Sequence, residues 1–107
     1  MILLFELTKD ADKLTCCIYK MYLEKRNSGM SKEAAKSFDE NFYKNEPKLS
    51  KWNKDDILDT LLELHKNGLI KLDIIGNFTL ENKLIVYMEN RFKNGLFEIV
   101  DFVSKFI

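Results

Sequence analysis

The sequence predicts an α+β fold that is mostly helical. Apolar residues recur at helical spacing in four stretches. Between the third and fourth, two turn dipeptides, Asn67-Gly68 and Gly76-Asn77, bracket a run rich in isoleucine. The order is helix, helix, helix, hairpin, helix, and each element has a local cause.

The first helix is predicted over Asp10 to Arg26, with Thr8 or Asp10 as its cap. Leu14, Cys17 or Ile18, Met21 and Tyr22 form its apolar face, and Asn27-Ser28-Gly29 stops it. Ser31 caps the second helix, whose apolar side is Ala34, Ala35, Phe38, Phe42 and Tyr43. Lys44 to Trp52 is predicted as a loop, because Pro47 bars a continuous helix. Asn53 caps the third helix, which runs to Lys66 with Ile57, Leu58, Leu61, Leu62 and Leu64 facing inward. Leu69 to Ile75 reads as a strand, Gly76-Asn77 as a two-residue turn, and Phe78-Thr79-Leu80 as the return strand. From Glu81 onward the pattern is helical again, with Gly95 marking a kink or a break.

Three helices followed by a short two-stranded wing make a winged helix-turn-helix. Residues 1–107 then form a single domain. Residues 81–107 are its C-terminal helical extension, a candidate for dimerisation.

Two stretches, LLELHKNGLIKLDI at 61–74 and VYMENRFKNGLFEIVDFVSKF at 86–106, resemble the small YjcQ-like winged-helix proteins of Gram-positive bacteria and their phages and mobile elements. The first stretch specifies the fold more than the family; the aromatic C-terminal helix is the narrower signal. The likeness covers the C-terminal half of the chain. The arm after Gly76-Asn77 is shorter than a typical wing. The resemblance implies a fold and carries no functional residues with it.

Composition narrows the function classes. The 107 residues are 46% hydrophobic, with eight Phe, four Tyr and one Trp, enough for a real core. Charged residues make up 32% but the formal net charge is zero, so the global pull on nucleic acid is missing. The Met1–Phe5 run is apolar yet too short for a signal segment and lacks a basic start. No run approaches the roughly 18 to 20 apolar residues of a membrane span. A cytoplasmic protein is expected. Cys16 and Cys17 are neighbours and the only cysteines, so reduced thiols are expected, at least one of them buried in the first helix. The sole histidine, His65, reads as a helix-end residue. No nucleophile with a partner, phosphate loop or ligand spacing is present, so neither enzyme activity nor a metal or cofactor is expected.

Three surfaces are candidates for binding. On the third helix, Lys54 stands against Asp55, Asp56, Asp59 and Glu63, one positive charge against four negative, a formal −3. In a winged helix this element enters the DNA groove, and such a helix repels phosphates. An acidic face turned to a protein partner is one reading; helix-dipole complementation by Asp55 and Asp56 is the plainer one. The alternative function, a dimeric DNA-binding regulator, rests on Lys44, Lys48, Lys51 and Lys54, opposed there only by Glu46, with Lys32 and Lys36 extending the patch. Trp52 within it reads as a core anchor.

The third surface is the end of the chain, where eight of twelve residues from 96 to 107 are apolar. That exceeds one helical stripe. Either the first helix and the N-terminal segment clasp this helix, or it joins two copies through Phe97, Val100, Phe102 and Ile107. The expected partner is thus another protein or a second copy. Nucleic acid is the alternative, and neither membrane nor small molecule is indicated. A small non-enzymatic regulatory or host-directed protein fits these features.

Overall fold

The computed structural model describes residues 6–106. Among the described residues the fold is α+β and mostly helical, with one small antiparallel sheet. Helix α1 spans Lys9–Asn27, α2 Lys32–Ala35, α3 Lys54–Lys66, α4 Asn82–Arg91 and α5 Leu96–Ser104. Strands β1, β2 and β3 are Ser37–Phe38, Ile70–Leu72 and Phe78–Leu80, and a 3-10 turn covers Phe42–Asn45.

Helix α1 is the centre of the molecule. Thr8 caps it, its hydroxyl accepting from Ala11 N–H at 3.2 Å. Every residue from Leu14 to Tyr19 is buried, so this helix is enclosed on nearly all sides. Thr15 in this run donates to the Ala11 carbonyl at 2.7 Å. Helix α5 is its most extensive partner; α3, α2 and α4 cover the rest.

The second helix is only one turn. The spacing of Phe38, Phe42 and Tyr43 mimics a helix, but Phe38 lies in β1 and the other two in the 3-10 turn. Phe78 explains the difference: Phe38 stacks on it at 5.0 Å and Phe42 meets it edge-on at 4.9 Å. The rings hold β1 beside β3, with Ser37 opposite Thr79 and Phe38 opposite Phe78. A sheet of order β1-β3-β2 therefore replaces the expected two-stranded hairpin. Lys25 donates to the Ser37 carbonyl at 2.7 Å and lies 3.6 Å from the centre of the Phe38 ring, which blocks the outer side of β1.

Helix α3 starts at Asn53, whose side chain accepts from Asp55 N–H at 2.8 Å. It stops at Gly68, where φ of +73° lets Leu69 N–H reach the Leu64 carbonyl. Ile57, Leu61 and Leu64 are buried as expected. Leu58 is only half-buried, and Leu62 is 44% exposed, so both leave the expected inner stripe. The strand ends at Leu72 rather than Ile75, and the turn is the longer Asp73–Asn77 loop. The final helix is two helices, α4 and α5, separated around Gly95.

Candidate functional site

The outward side of α3 carries Asp55, Asp56 and Asp59, all exposed. Glu63 departs from expectation. Its two carboxylate oxygens accept from the Thr8 N–H and the Thr8 hydroxyl, both at 2.9 Å. Glu63 is thus a joint between α3 and the start of α1, not a member of the outward acidic face. Leu58 and Leu62, three residues on from Asp55 and Asp59 respectively and four from each other, form an apolar row along one side of these aspartates.

The hairpin tip adjoins this row. A Cβ added to Gly76 would lie 3.6 Å from Leu58 Cδ2 and 3.4 Å from the Glu40 Cβ. Asn77 secures the same approach, its side-chain carbonyl accepting from Glu40 N–H at 3.0 Å. The tip is built by Asp73. One of its carboxylate oxygens accepts from the N–H groups of Ile75, Gly76 and Asn77 at 2.8, 2.9 and 3.0 Å. Desolvation is the largest influence on this carboxyl and raises its pKa. The three backbone hydrogen bonds together, helped by the Asn77 side chain, outweigh it and hold the pKa below the ordinary value. This cage leaves the Ile74 side chain fully exposed and Ile75 largely so.

The lysine loop is thinner than expected. Lys44, Lys51 and Lys54 are exposed, but Lys48 is half-buried and donates to the Phe106 carbonyl at 2.6 Å, which takes it out of a phosphate-binding row. Lys36 is also turned inward and donates to Asn82 Oδ1 at 2.9 Å, while Lys32 is exposed. Glu46, expected to oppose the loop lysines, is 3% exposed and pairs with Lys20 at 2.8 Å. Burial favours the neutral form of Lys20, yet the hydrogen bond and charge of Glu46 raise its pKa overall. Trp52 is half-buried and packs against the core.

The expected dimer face is reduced to two residues. Phe102 meets Phe92 at 5.2 Å and Phe106 at 5.5 Å, so it belongs to the intramolecular packing. Ile107 lies outside the described residues. Phe97 is 89% exposed, and Val100 is exposed beside it. Near them, Leu23, Arg26, Met30 and Leu96 line an open groove between the end of α1 and the start of α5.

The remaining candidates are structural. Cys16 and Cys17 are both free and buried, and burial pushes each thiol up to about 12. His65 places Nδ1 3.1 Å from the Ile70 carbonyl and fastens the end of α3 to β2. Among the described residues, no cluster of His, Cys, Asp or Glu is disposed to hold a metal ion, and no helix is long and apolar enough to cross a membrane. The hairpin tip had a weak sequence signal, since two isoleucines precede the turn glycine; the apolar row on α3 had none, because five apolar residues are what one stripe of that length needs. No known protein family, curated protein or solved structure matches the chain.

Proposed function

We propose that this chain is a non-enzymatic winged helix-turn-helix module, a small cytoplasmic regulatory or host-directed protein that acts through protein contacts. The fold reading draws on chain order: α1, then the single-turn α2, then β1, then a 3-10 turn, then α3 and the β2–β3 hairpin, with β3 between the other strands. A YjcQ-like relationship, read from residues 61–74 and 86–106, is part of the same proposal.

One observation carries the functional part. On the element a winged helix would turn to DNA, Leu58 and exposed Leu62 stand with Asp55 and Asp59, and Leu58 meets the hairpin tip that carries exposed Ile74 and Ile75. Phosphate recognition requires cations there, and carboxylates repel the duplex. An apolar surface with acidic neighbours suits a protein.

A second reading, a DNA-binding regulator, draws on the inward turn of Glu46, which leaves Lys44, Lys51 and Lys54 as the exposed charges of their loop. Titration of duplex DNA across salt concentrations separates the two. The protein-contact reading expects weak binding or none near physiological salt. Tight, steeply salt-dependent binding, lost in Lys44→Glu and Lys51→Glu, would replace it with the DNA reading.

A further inference from the structure

We infer that the occupant of the α3–hairpin face is a cationic amphipathic helix of a protein partner. The inference rests on the protein-contact reading and deepens it by giving the chemistry of the partner.

The tip adjoins the helix, since a Cβ on Gly76 would lie 3.6 Å from Leu58 Cδ2. Ile74 contributes nothing to the core: it is fully exposed, on a loop whose three backbone N–H groups are held by one carboxylate. An apolar side chain held out on an ordered loop can be buried by a partner with little ordering cost. Leu62, 44% exposed, lies one helical turn beyond Leu58 and lengthens the apolar strip. A helix laid along such a strip would meet it with apolar residues at three-to-four spacing.

Charge selects among occupants. Asp55 and Asp59 accompany the strip on α3, and Glu40 and Asp73 accompany it at the tip. The cations of α3, Lys54 and Lys66, stand at its two ends. Lys or Arg beside the apolar residues of a partner helix would face the carboxylates in between. A second copy in two-fold contact would set the same aspartates against each other, and an anionic membrane or a duplex would set phosphates against them. A cationic helix alone satisfies both the apolar strip and its acidic border.

The test uses a synthetic amphipathic helical peptide of leucine and lysine, titrated into the full chain while amide chemical shifts are followed. Controls are the same composition with scrambled spacing and the leucine–glutamate counterpart. Shifts are expected at residues 55–62 and 73–76, with clear preference for the amphipathic cationic peptide. Ile74→Glu and Leu62→Glu distinguish docking from bulk attraction, since both add negative charge. Docking expects affinity to fall about tenfold or more, as for loss of one buried large aliphatic contact. General attraction expects it to rise.

Unchanged or tighter binding by these variants, binding equal to the scrambled control, shifts confined to another face, or no binding would each overturn the inference. Duplex DNA titrated in parallel separates this failure from that of the broader reading. If the peptide fails here and DNA also fails, the protein-contact reading survives on another face. If DNA shifts these amides and binds tightly, both fall.

Discussion

Arg91 grips Asp12 through both terminal guanidinium nitrogens. Nη1 donates to Oδ1, and Nη2 donates to Oδ2 at 3.1 Å. The same guanidinium carbon lies 5.0 Å from the Phe92 ring centre and 5.2 Å from that of Phe102. The end of α4 is thereby tied to the first turn of α1, across the aromatic packing that seats α5. Asp12→Ala is expected to cost about 1 kcal/mol, since the pair is partly exposed. Arg91→Lys keeps the charge but loses the fork and the stacking, so it should cost at least as much. Urea melts of the two variants and their double mutant would measure this. Strict additivity would show that the arginine fork adds no coupling to Asp12 beyond that of a lysine.

Alkali is expected to unfold the protein through its thiols. In an exposed chain Cys16 and Cys17 ionise near 9.0; in the fold they hold their protons until about 12. The folded state binds more protons than the unfolded one between these limits. The stability linked to these thiols is therefore intact below pH 9.0 and declines as pH rises toward 12. The slope is about 1.4 kcal/mol per pH unit for each thiol. Urea midpoints across this range should fall, and Cys17→Ala should fall less steeply. A Cys17→Ala variant with the full wild-type slope would exclude Cys17 as a cause.

Phe97 and Phe102 should behave as opposites. Phe102→Ala removes a ring packed against Phe92 and Phe106, with an expected loss of about 2 to 4 kcal/mol. Phe97→Ala should stay within about 0.5 kcal/mol. With Phe97 and Val100 as the exposed apolar pair of α5, burial worth about 1.5 to 3 kcal/mol per side chain lies near the low edge of association costs. Light scattering is expected to give a monomer at micromolar concentrations. A dimer abolished by Phe97→Glu would reverse that expectation.

On α3, Leu61→Ala is expected to cost about 2 to 5 kcal/mol, and Leu62→Ala less than about 1 kcal/mol. The two are adjacent in sequence, but Leu61 is buried and Leu62 is not. Equal losses in denaturant melts would contradict this orientation of the helix.

Asp73→Ala should loosen the hairpin tip without dissolving the core. The amides of Ile75, Gly76 and Asn77 would lose their shared acceptor and exchange faster with solvent. Because the folded carboxyl titrates below its ordinary value, this fastening is present above pH 3.8 and is lost as acid protonates it. Unchanged exchange at all three amides would argue against the cage.

Much of the architecture was legible where local signals suffice. Thr8, Ser31 and Asn53 do cap helices, and Gly68 ends α3. What was hidden depends on distant partners. Strand β1 is two residues long, and its identity comes from Phe78, forty residues further on in Phe38's pairing. Glu63 meets Thr8 across 55 positions, and Glu46 meets Lys20 across 26. Neither contact leaves a mark on the neighbouring sequence. Of the candidate surfaces, the acidic one was read in outline from Asp55, Asp56 and Asp59. Its apolar component was not, because Leu58 and Leu62 at helical spacing look like core until the neighbouring elements show which side they face.

The packing of α1 against α5 also bears on synthesis. Helix α3 and its hairpin lie close together along the chain and can associate as soon as both have emerged from the ribosome. Helix α1 emerges early, but its largest partner is the final described helix, with all the other elements between them. During translation the apolar surface of α1 stays uncovered until α5 has followed it, and uncovered apolar surface of this kind is prone to aggregation.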